Sequence, residues 1–453
     1  MHQETIAAIA TAPGPGGIGV VRLSGQHARS IGQTIAASTL RARHAHFCHF
    51  TSSKGAVLDS GIALFFPAPH SFTGEDIVEL QAHGGPIILD LILREVFSQG
   101  ARQALPGEFS QRAFLNNKID LTQAEAIADL INSTTEQAAL NASRSLQGIF
   151  SDRINLLVGL VTQLRVYVEA AIDFPEEEID FLQNNEISEQ LNAIAKQFDD
   201  VMDDAKQGTL VQEGMKLVIA GRPNAGKSSL LNALSGHNTA IVTAIEGTTR
   251  DVLREHIQID GMPIHVVDTA GLRDSNDEIE QEGIRRAWAE IDAADHILLV
   301  IDGTKPCDVD AALVELWTEK KTPMPEIPVT IINNKCDLTT NIPDVNLLSE
   351  NPTINLSAKS GAGIDLLRNY LKTCMGYTEG GQGNFSARRR HLQALEQAKK
   401  FFLQGQQQLL VSGAGELLAE DLRLCQISLG DITGIVTSDE LLGNIFSSFC
   451  VGK

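Results

Sequence analysis

The stretch Gly221-Arg222-Pro223-Asn224-Ala225-Gly226-Lys227-Ser228 fits the pattern GxxxxGK[ST]. It follows the apolar run Leu217–Ala220 and precedes the helix-like Ser229–Leu234. Strand, glycine loop and helix together are the setting of a P-loop. Glycines let backbone N–H groups wrap phosphate oxygens, and the helix N-terminus adds partial positive charge. Lys227 is expected to reach the β- and γ-phosphates, and the Ser228 hydroxyl to ligate Mg2+. Asn224, Ala225, Gly226 and Ser229 complete the predicted loop contacts. A plain glycine turn would match the same residues, so the motifs that follow decide the reading.

Asp268-Thr269-Ala270-Gly271 ends the next apolar run, where a Mg2+-side carboxylate and a γ-phosphate sensor belong. Asn334-Lys335-Cys336-Asp337 ends a later one. The Asp337 carboxylate offers two acceptors to N1–H and the 2-amino group of guanine, which adenine cannot match. Ser357-Ala358-Lys359 follows at the distance of a loop that caps the base. Gly247-Thr248-Thr249-Arg250-Asp251 stands where a switch threonine belongs. These elements in this order predict a GTP site, and the portion resembles the Ras-like GTPases of the translation-factor-related class. One departure matters. Leu272 follows Gly271, and an apolar side chain cannot orient an attacking water. A carboxylate of the polar segment Arg273–Gln281 is the natural substitute. The loop offers no clear arginine finger, and Asn224 is placed to help hold a monovalent cation against the phosphates instead.

The chain around this motif has 453 residues, 43% of them apolar and 21% charged. That length predicts about two to four domains with separate cores. The composition excludes disordered, collagen-like and disulfide-framework classes. Six cysteines without a CxxC pair suit neither a zinc ribbon nor a disulfide framework, which predicts a reducing, cytoplasmic setting. No stretch approaches the roughly 18 apolar residues of a membrane span, and Met1-His2-Gln3-Glu4 lacks the basic start of a signal peptide. The formal charge is −21, with the acidic excess after residue 118. Bulk charge therefore disfavours nucleic-acid binding, and an RNA partner needs a local patch, an induced fit or a second protein.

Three textures follow one another. Residues 1–118 carry short apolar runs (Ile18–Leu23, Gly61–Phe66, Asp76–Leu80) broken by turns, with a helix near Ile87–Phe97, and read as α+β. From Leu121 helical spacing takes over, through Asn155–Ala171 and Ile187–Ala205. The acidic run Asp173–Asp180 reads as a solvated loop or helix end rather than a metal site. From residue 214, Lys216–Ala220, Ile264–Asp268, Ile297–Asp302 and Val329–Asn333 alternate with helical stretches, which predicts a parallel sheet covered on both faces. Gly376–Gly383 reads as a linker, after which Ala387–Leu410 and Glu416–Leu429 are helical again. The fold class expected is multidomain α/β plus α. It comprises an N-terminal α+β domain (1–118), a discontinuous helical domain (119–213 and 379–453) and an inserted Ras-like P-loop domain with a mostly parallel sheet (214–378).

The flanks narrow the resemblance. Pro13-Gly14-Pro15-Gly16-Gly17-Ile18-Gly19-Val20-Val21-Arg22-Leu23-Ser24-Gly25 opens the chain, and Ser71-Phe72-Thr73-Gly74-Glu75-Asp76 and Glu79-Leu80-Gln81-Ala82-His83-Gly84-Gly85 follow. Pro106-Gly107-Glu108-Phe109-Ser110 and Lys118-Ile119-Asp120-Leu121-Thr122-Gln123-Ala124-Glu125-Ala126 come next, and Phe449-Cys450-Val451-Gly452-Lys453 ends the chain. With the GTPase motifs, essentially the full length resembles the tRNA-modification GTPase family MnmE, also called TrmE.

That resemblance implies a chemistry. The family works as a homodimer with an FAD-dependent partner, MnmG or GidA, in a heterotetramer or larger complex. It joins a one-carbon unit from 5-formyl- or methylene-tetrahydrofolate to C5 of the wobble uridine of certain tRNAs, giving aminomethyl-type groups such as carboxymethylaminomethyl. Potassium promotes G-domain dimerisation and fills the arginine-finger role. The N-terminal domain binds folate and holds the homodimer. Carried onto this chain, Asn224, Thr243, Ile245 and Thr248 surround K+, and Ser228 with Thr249 holds Mg2+. Glu280 matches the water-orienting glutamate. Arg22, Glu79, Lys118 and Lys453 match the folate-binding positions, and Cys450 the functional thiol beside them. By the residues alone, Cys450 has the alternative reading of a small buried apolar residue near Phe446 and Phe449, and Lys118 and Lys453 that of surface lysines. Arg388-Arg389-Arg390-His391 reads as a solvated helix face or an RNA contact.

Two rivals stay open at this point. A ribosome-assembly GTPase switch shares the G motifs, but usually carries a basic appendage where this chain is neutral or acidic. A folate-dependent one-carbon enzyme regulated by GTP would bind folate without tRNA or a flavoprotein. A scaffold without turnover suits an intact P-loop and Asp337 least.

Overall fold

The computed structural model describes residues 4–173, 185–236, 254–268, 292, 294–306, 327–348, 351–377, 385–435 and 439–452. They divide into two compact units. One comprises Met1–Ala128, Leu146–Leu191 and Gln397–Lys453, the other Asp129–Ser145 and Asn192–Glu396.

In the first unit the strands β1 (Ile6–Ile9), β2 (Gly16–Ser24), β3 (His46–Thr51), β4 (Val57–Phe66), β5 (Ile77–Gly84) and β6 (Arg102–Gln103) form a sheet in the order β3-β4-β5-β2-β1-β6. Its neighbours are antiparallel except β1 and β6. Val21 and Leu23 of β2 are buried while Val20 and Arg22 between them are partly exposed, the period-2 pattern of a half-covered strand. Helices α1 (Ala28–Ile35) and α2 (Pro86–Ser98) supply the cover. Leu89, Ile92, Leu93 and Val96 form the buried stripe of α2, and Pro86 stands in its first turn, where no N–H is needed. Helix α3 (Glu108–Leu115) follows β6. The α+β expectation for residues 1–118 is met, with β1, β3, β6, α1 and α3 added.

Helices α4 (Leu121–Asn132), α5 (Glu136–Leu146), α6 (Ile149–Asp173) and α7 (Asn185–Glu213) come next. Within the first unit α6 packs against a helix near the chain end, Gly415–Thr433. Ile154, Leu157, Val161, Leu164 and Val168 are buried on α6, opposite a set that includes Leu418, Leu422, Cys425 and Leu429. Steps of three and four residues are those of interlocking helices. Arg165 and Thr162 both hydrogen-bond Gln426 across this seam. Helix α6 has 25 residues, and an 18-residue window of it reaches a mean hydropathy of 1.3, so by length and composition alone it passes as a candidate membrane span. Its apolar stripe is occupied by the helix opposite.

In the second unit the strands are β7 (Met215–Ala220), β8 (Arg254–Ile259), β9 (Met262–Asp268), β10 (His296–Asp302), β11 (Val329–Asn334), β12 (Asp344–Asn346) and β13 (Thr353–Asn355). Their order is β12-β13-β11-β10-β7-β9-β8. β7, β9, β10, β11 and β13 run parallel, with an antiparallel strand at each edge. β7 is buried at every residue but Lys216, as a strand covered on both faces must be. Helices α8 (Lys227–Ser235) and α9 (Ile364–Cys374) contribute Leu230, Leu234, Leu367 and Leu371 to the core around Leu217 and Leu298. α10 (Arg389–Ser412), α11 (Gly415–Thr433) and α12 (Asp439–Ser447) complete the chain.

The basic run at the start of α10 is paired. Arg388 binds Asp129, and Arg389 binds Glu213 at 2.8 Å and Asp295 at 3.4 Å. His391 is buried. The run is neither an open basic patch nor simply a solvated face, because acidic side chains of the same unit match its charge.

Candidate functional site

β7 lies between β9 and β10, and its carboxyl end runs into the glycine loop. That end of a parallel sheet is where such folds place their ligands. The loop is shaped by Gly226, whose φ of +103° few side chains adopt. A Cβ there would fall 2.2 Å from the Asn334 side-chain nitrogen. Gly226 caps α8, so the first N–H groups of that helix open onto the loop. Lys227 folds its ammonium back onto the loop, donating to Gly221 O at 2.7 Å and Arg222 O at 3.4 Å. These carbonyls are oxygen acceptors like those of a phosphate, so the residue fits its expected partner. Ser228 and Ser229 are exposed in the first turn of α8. A free hydroxyl oxygen there fits a hard cation such as Mg2+.

Asn334 joins the Asn334–Asp337 segment and the Ser357–Lys359 loop to the glycine loop. Its amide donates to Ala225 O at 2.9 Å, and its Oδ1 accepts from the N–H groups of Lys335 at 2.8 Å and Ala358 at 2.9 Å. Asn334 and Ser357 are buried, while Asp337 and Lys359 are exposed at the rim. Lys335, at φ +70°, donates to Asn224 O at 2.9 Å and to Asp302 at 2.8 Å. The structure thus brings Asn224, Ala225, Gly226, Lys227, Asn334, Lys335 and Ala358 together. Sequence reasoning missed Asp302, although a strand ending in Asp302-Gly303-Thr304 carries the signature of a side-chain-capped turn. The Asp302 carboxyl is held well below the usual carboxylate range by hydrogen bonds from Lys335 and Thr304. Thr243, Ile245, Thr248, Thr249, Thr269, Ala270, Gly271 and Glu280, with the side chain of Asp268, lie outside the described residues.

A second cluster belongs to the first unit. Arg22 Nε and Nη2 both reach Glu79 Oε1 at 2.9 Å, and Nη1 lies 3.4 Å from Gly452 O. The guanidinium also stands 5.9 Å from the Phe109 ring centroid. Strand pairing sets Arg22 opposite Glu79. Gly107, at φ +67°, seats the chain end: its N–H donates to Cys450 O at 3.3 Å, and a Cβ would meet Phe446 O at 2.5 Å. Cys450 is exposed, so the buried apolar alternative is overturned, while Phe446 and Phe449 beside it are buried. A carboxylate beside a guanidinium and a ring fits a heterocycle with several donors. Lys118 is exposed with its stem against Gly74, and among the described residues no contact joins it to Arg22 or Glu79. Lys453 lies outside the described residues. Behind this cluster, Glu108 accepts from Arg102, the Leu105 N–H and Arg112, and Arg112 also binds Glu75. Burial opposes ionisation of Glu108, but these donors overcome it and hold its pKa at about 2.

A glycine loop on a parallel strand, tied by Asn334 to the Asn334–Asp337 segment, defines the class: a P-loop domain of the GTPase type. Family comparison makes the assignment narrower. Residues 5–118 match the model of the GTP-binding protein TrmE N-terminus, and residues 121–450 that of the MnmE helical domain. The tRNA modification GTPase MnmE of Marinobacter nauticus is 58% identical over 453 residues, spanning 99% of each chain. The chain belongs to the MnmE (TrmE) family. Among solved structures, the G domain of the T. maritima FeoB iron transporter is 24% identical over 35% of this chain and 98% of its own, with a TM-score of 0.27. An Aquifex aeolicus Era variant bound to GDP.AlF4- is 25% identical over 41% of this chain and 66% of its own, with a TM-score of 0.26.

Proposed function

We propose that this protein hydrolyses GTP as part of a tRNA-modifying system that builds aminomethyl-type groups on C5 of the wobble uridine. The observation that carries the reading is the pair of assembled clusters in one chain of this family: the loop locked by Asn334, and Arg22 with Glu79 beside the chain end. The domain division proposed is 1–118, 119–213 with 379–453, and 214–378, the N-terminal part also holding a homodimer. A cytoplasmic location, tRNA as substrate and an FAD-dependent partner of the MnmG (GidA) type follow from the same reading.

In this mechanism Lys227 leaves Gly221 O for the β- and γ-phosphates, and Asp337 selects guanine. Ser228 and Thr249 would hold Mg2+, and Asn224, Thr243, Ile245 and Thr248 would hold K+. Bound there, these cations would supply charge neutralisation around the transferring phosphoryl group. Glu280 orients the attacking water. At the other cluster, Glu79 would accept from the donor edge of a tetrahydrofolate, Arg22 would hold that carboxylate in place, and Lys118 and Lys453 would receive the folate's acidic tail. Cys450 offers an exposed thiol beside this cluster.

The test is nucleoside mass spectrometry of tRNA from cells with and without this gene. Loss of the modified wobble uridines, restored by wild type but not by Cys450→Ser or Glu280→Ala, is the result expected. Unchanged uridines in cells lacking a second copy would remove the reading and favour the ribosome-assembly switch.

A further inference from the structure

Asp302 has no place in the sequence motifs, yet it holds one of their residues. It ends β10, beside the strand that ends in Asn334. Its Oδ2 lies 2.8 Å from Lys335 Nζ, and its Oδ1 accepts from Thr304 N–H at 3.1 Å and Thr304 Oγ1 at 2.6 Å. The Lys335 ammonium therefore has a carboxylate on one side and, at 2.9 Å, the Asn224 carbonyl on the other. Gly303 N–H donates to Asn334 O at 2.9 Å, so backbone and side chain tie the same two strand ends. An exposed ion pair contributes little on average, because two long side chains must be ordered. Here Asp302 is fixed by its own turn, both groups are partly buried, and a second acceptor fixes the ammonium. Only Lys335 has freedom left to lose.

We propose that Asp302 is a positioning residue for guanine-nucleotide binding. It acts through Lys335, which it holds across the phosphate loop at Asn224, so that the loop and the base-reading Asn334–Asp337 segment are presented together. Without the carboxylate, Lys335 swings free and Asn224 loses the donor that pins its left-handed turn. This rests on the GTP-binding reading above.

The experiment is a double-mutant cycle on the full-length protein, titrated with a fluorescent GDP analogue. Asp302→Asn is expected to raise the Kd about tenfold in the wild-type background, the range of a charge-assisted hydrogen bond. In a Lys335→Ala background the same substitution is expected to change it less than about twofold. A merely structural role would weaken binding by the same factor in both backgrounds, and that result would overturn the proposal. So would an unchanged Kd in the wild-type background. Thr304→Val, at an exposed position, removes one bond that fixes Asp302 and is expected to raise the Kd about threefold, again only while Lys335 is present. If Asp302→Asn does not fold, the Thr304→Val cycle decides by the same two criteria. Wild-type protein that fails to bind the GDP analogue at all would remove the GTP-binding reading itself, a result distinct from either.

Discussion

The phosphate loop and the Arg22–Glu79 cluster are built in opposite ways. The loop takes Gly221 to Ser228 from one continuous stretch and uses backbone groups for most of its work. The other cluster joins β2, β5, α3 and the chain end, with Arg22 and Gly452 separated by 430 positions. A backbone cradle leaves a local signature because glycine tolerates its conformations and close approaches better than any other residue. A side-chain cluster closed by distant elements leaves scattered single residues, each unremarkable where it stands.

The sharpest way to separate the two is Lys227→Ala. GTP turnover should fall about 100- to 1000-fold, the scale of losing a donor aimed at developing charge, while the folate affinity proposed for the Arg22–Glu79 cluster should not change. Steady-state turnover and folate titration on the same preparation check both halves. Glu280→Ala should cut hydrolysis about 100-fold and spare nucleotide affinity. Equal hydrolysis in single-turnover assays would remove Glu280 from the mechanism.

Acid should also divide the regions. His296 of β10 is buried against Thr330, and burial pushes its pKa down to about 4. The unfolded chain takes up a proton near pH 6.5 that the folded chain refuses, so this contribution, about 3 kcal/mol, is lost as pH falls from 6.5 toward 4. Glu108 of α3 is depressed to about 2, so its contribution is full above its unfolded value of about 4.5 and is lost only as pH falls from there toward 2. Amide hydrogen exchange at pH 5 should show β10 and β11 opening more readily than at pH 7, with α3 unchanged.

Two smaller effects sharpen the comparison. Asp337→Asn should move preference from guanine to xanthine nucleotides by about 10- to 100-fold, read by competition binding. Unchanged GTP preference would count against base reading by Asp337. Arg22→Ala should lower folate affinity about tenfold and leave GTP turnover within about twofold, since Glu79 loses its charge partner and the GTP loop is built from other elements.

The sequence by itself determined the phosphate loop, the parallel sheet and the α+β start. Each is written in short-range patterns: the glycine spacing at Gly221 and Gly226, the uninterrupted apolar β7, and the alternation around Val21 and Leu23. Only the tertiary structure decided what surrounds Arg388, Arg389, Asp302 and Cys450. The basic run gained its meaning when Asp129, Glu213 and Asp295 arrived beside it. Asp302 gained its own when β10 paired with β11 and brought Lys335 within reach. Cys450 stayed exposed because Phe446 and Phe449 took the buried places around Gly107. A charge or a thiol acts through its neighbours, and those neighbours lie far along the chain; a loop conformation is decided within a few residues, which is why it can be read directly.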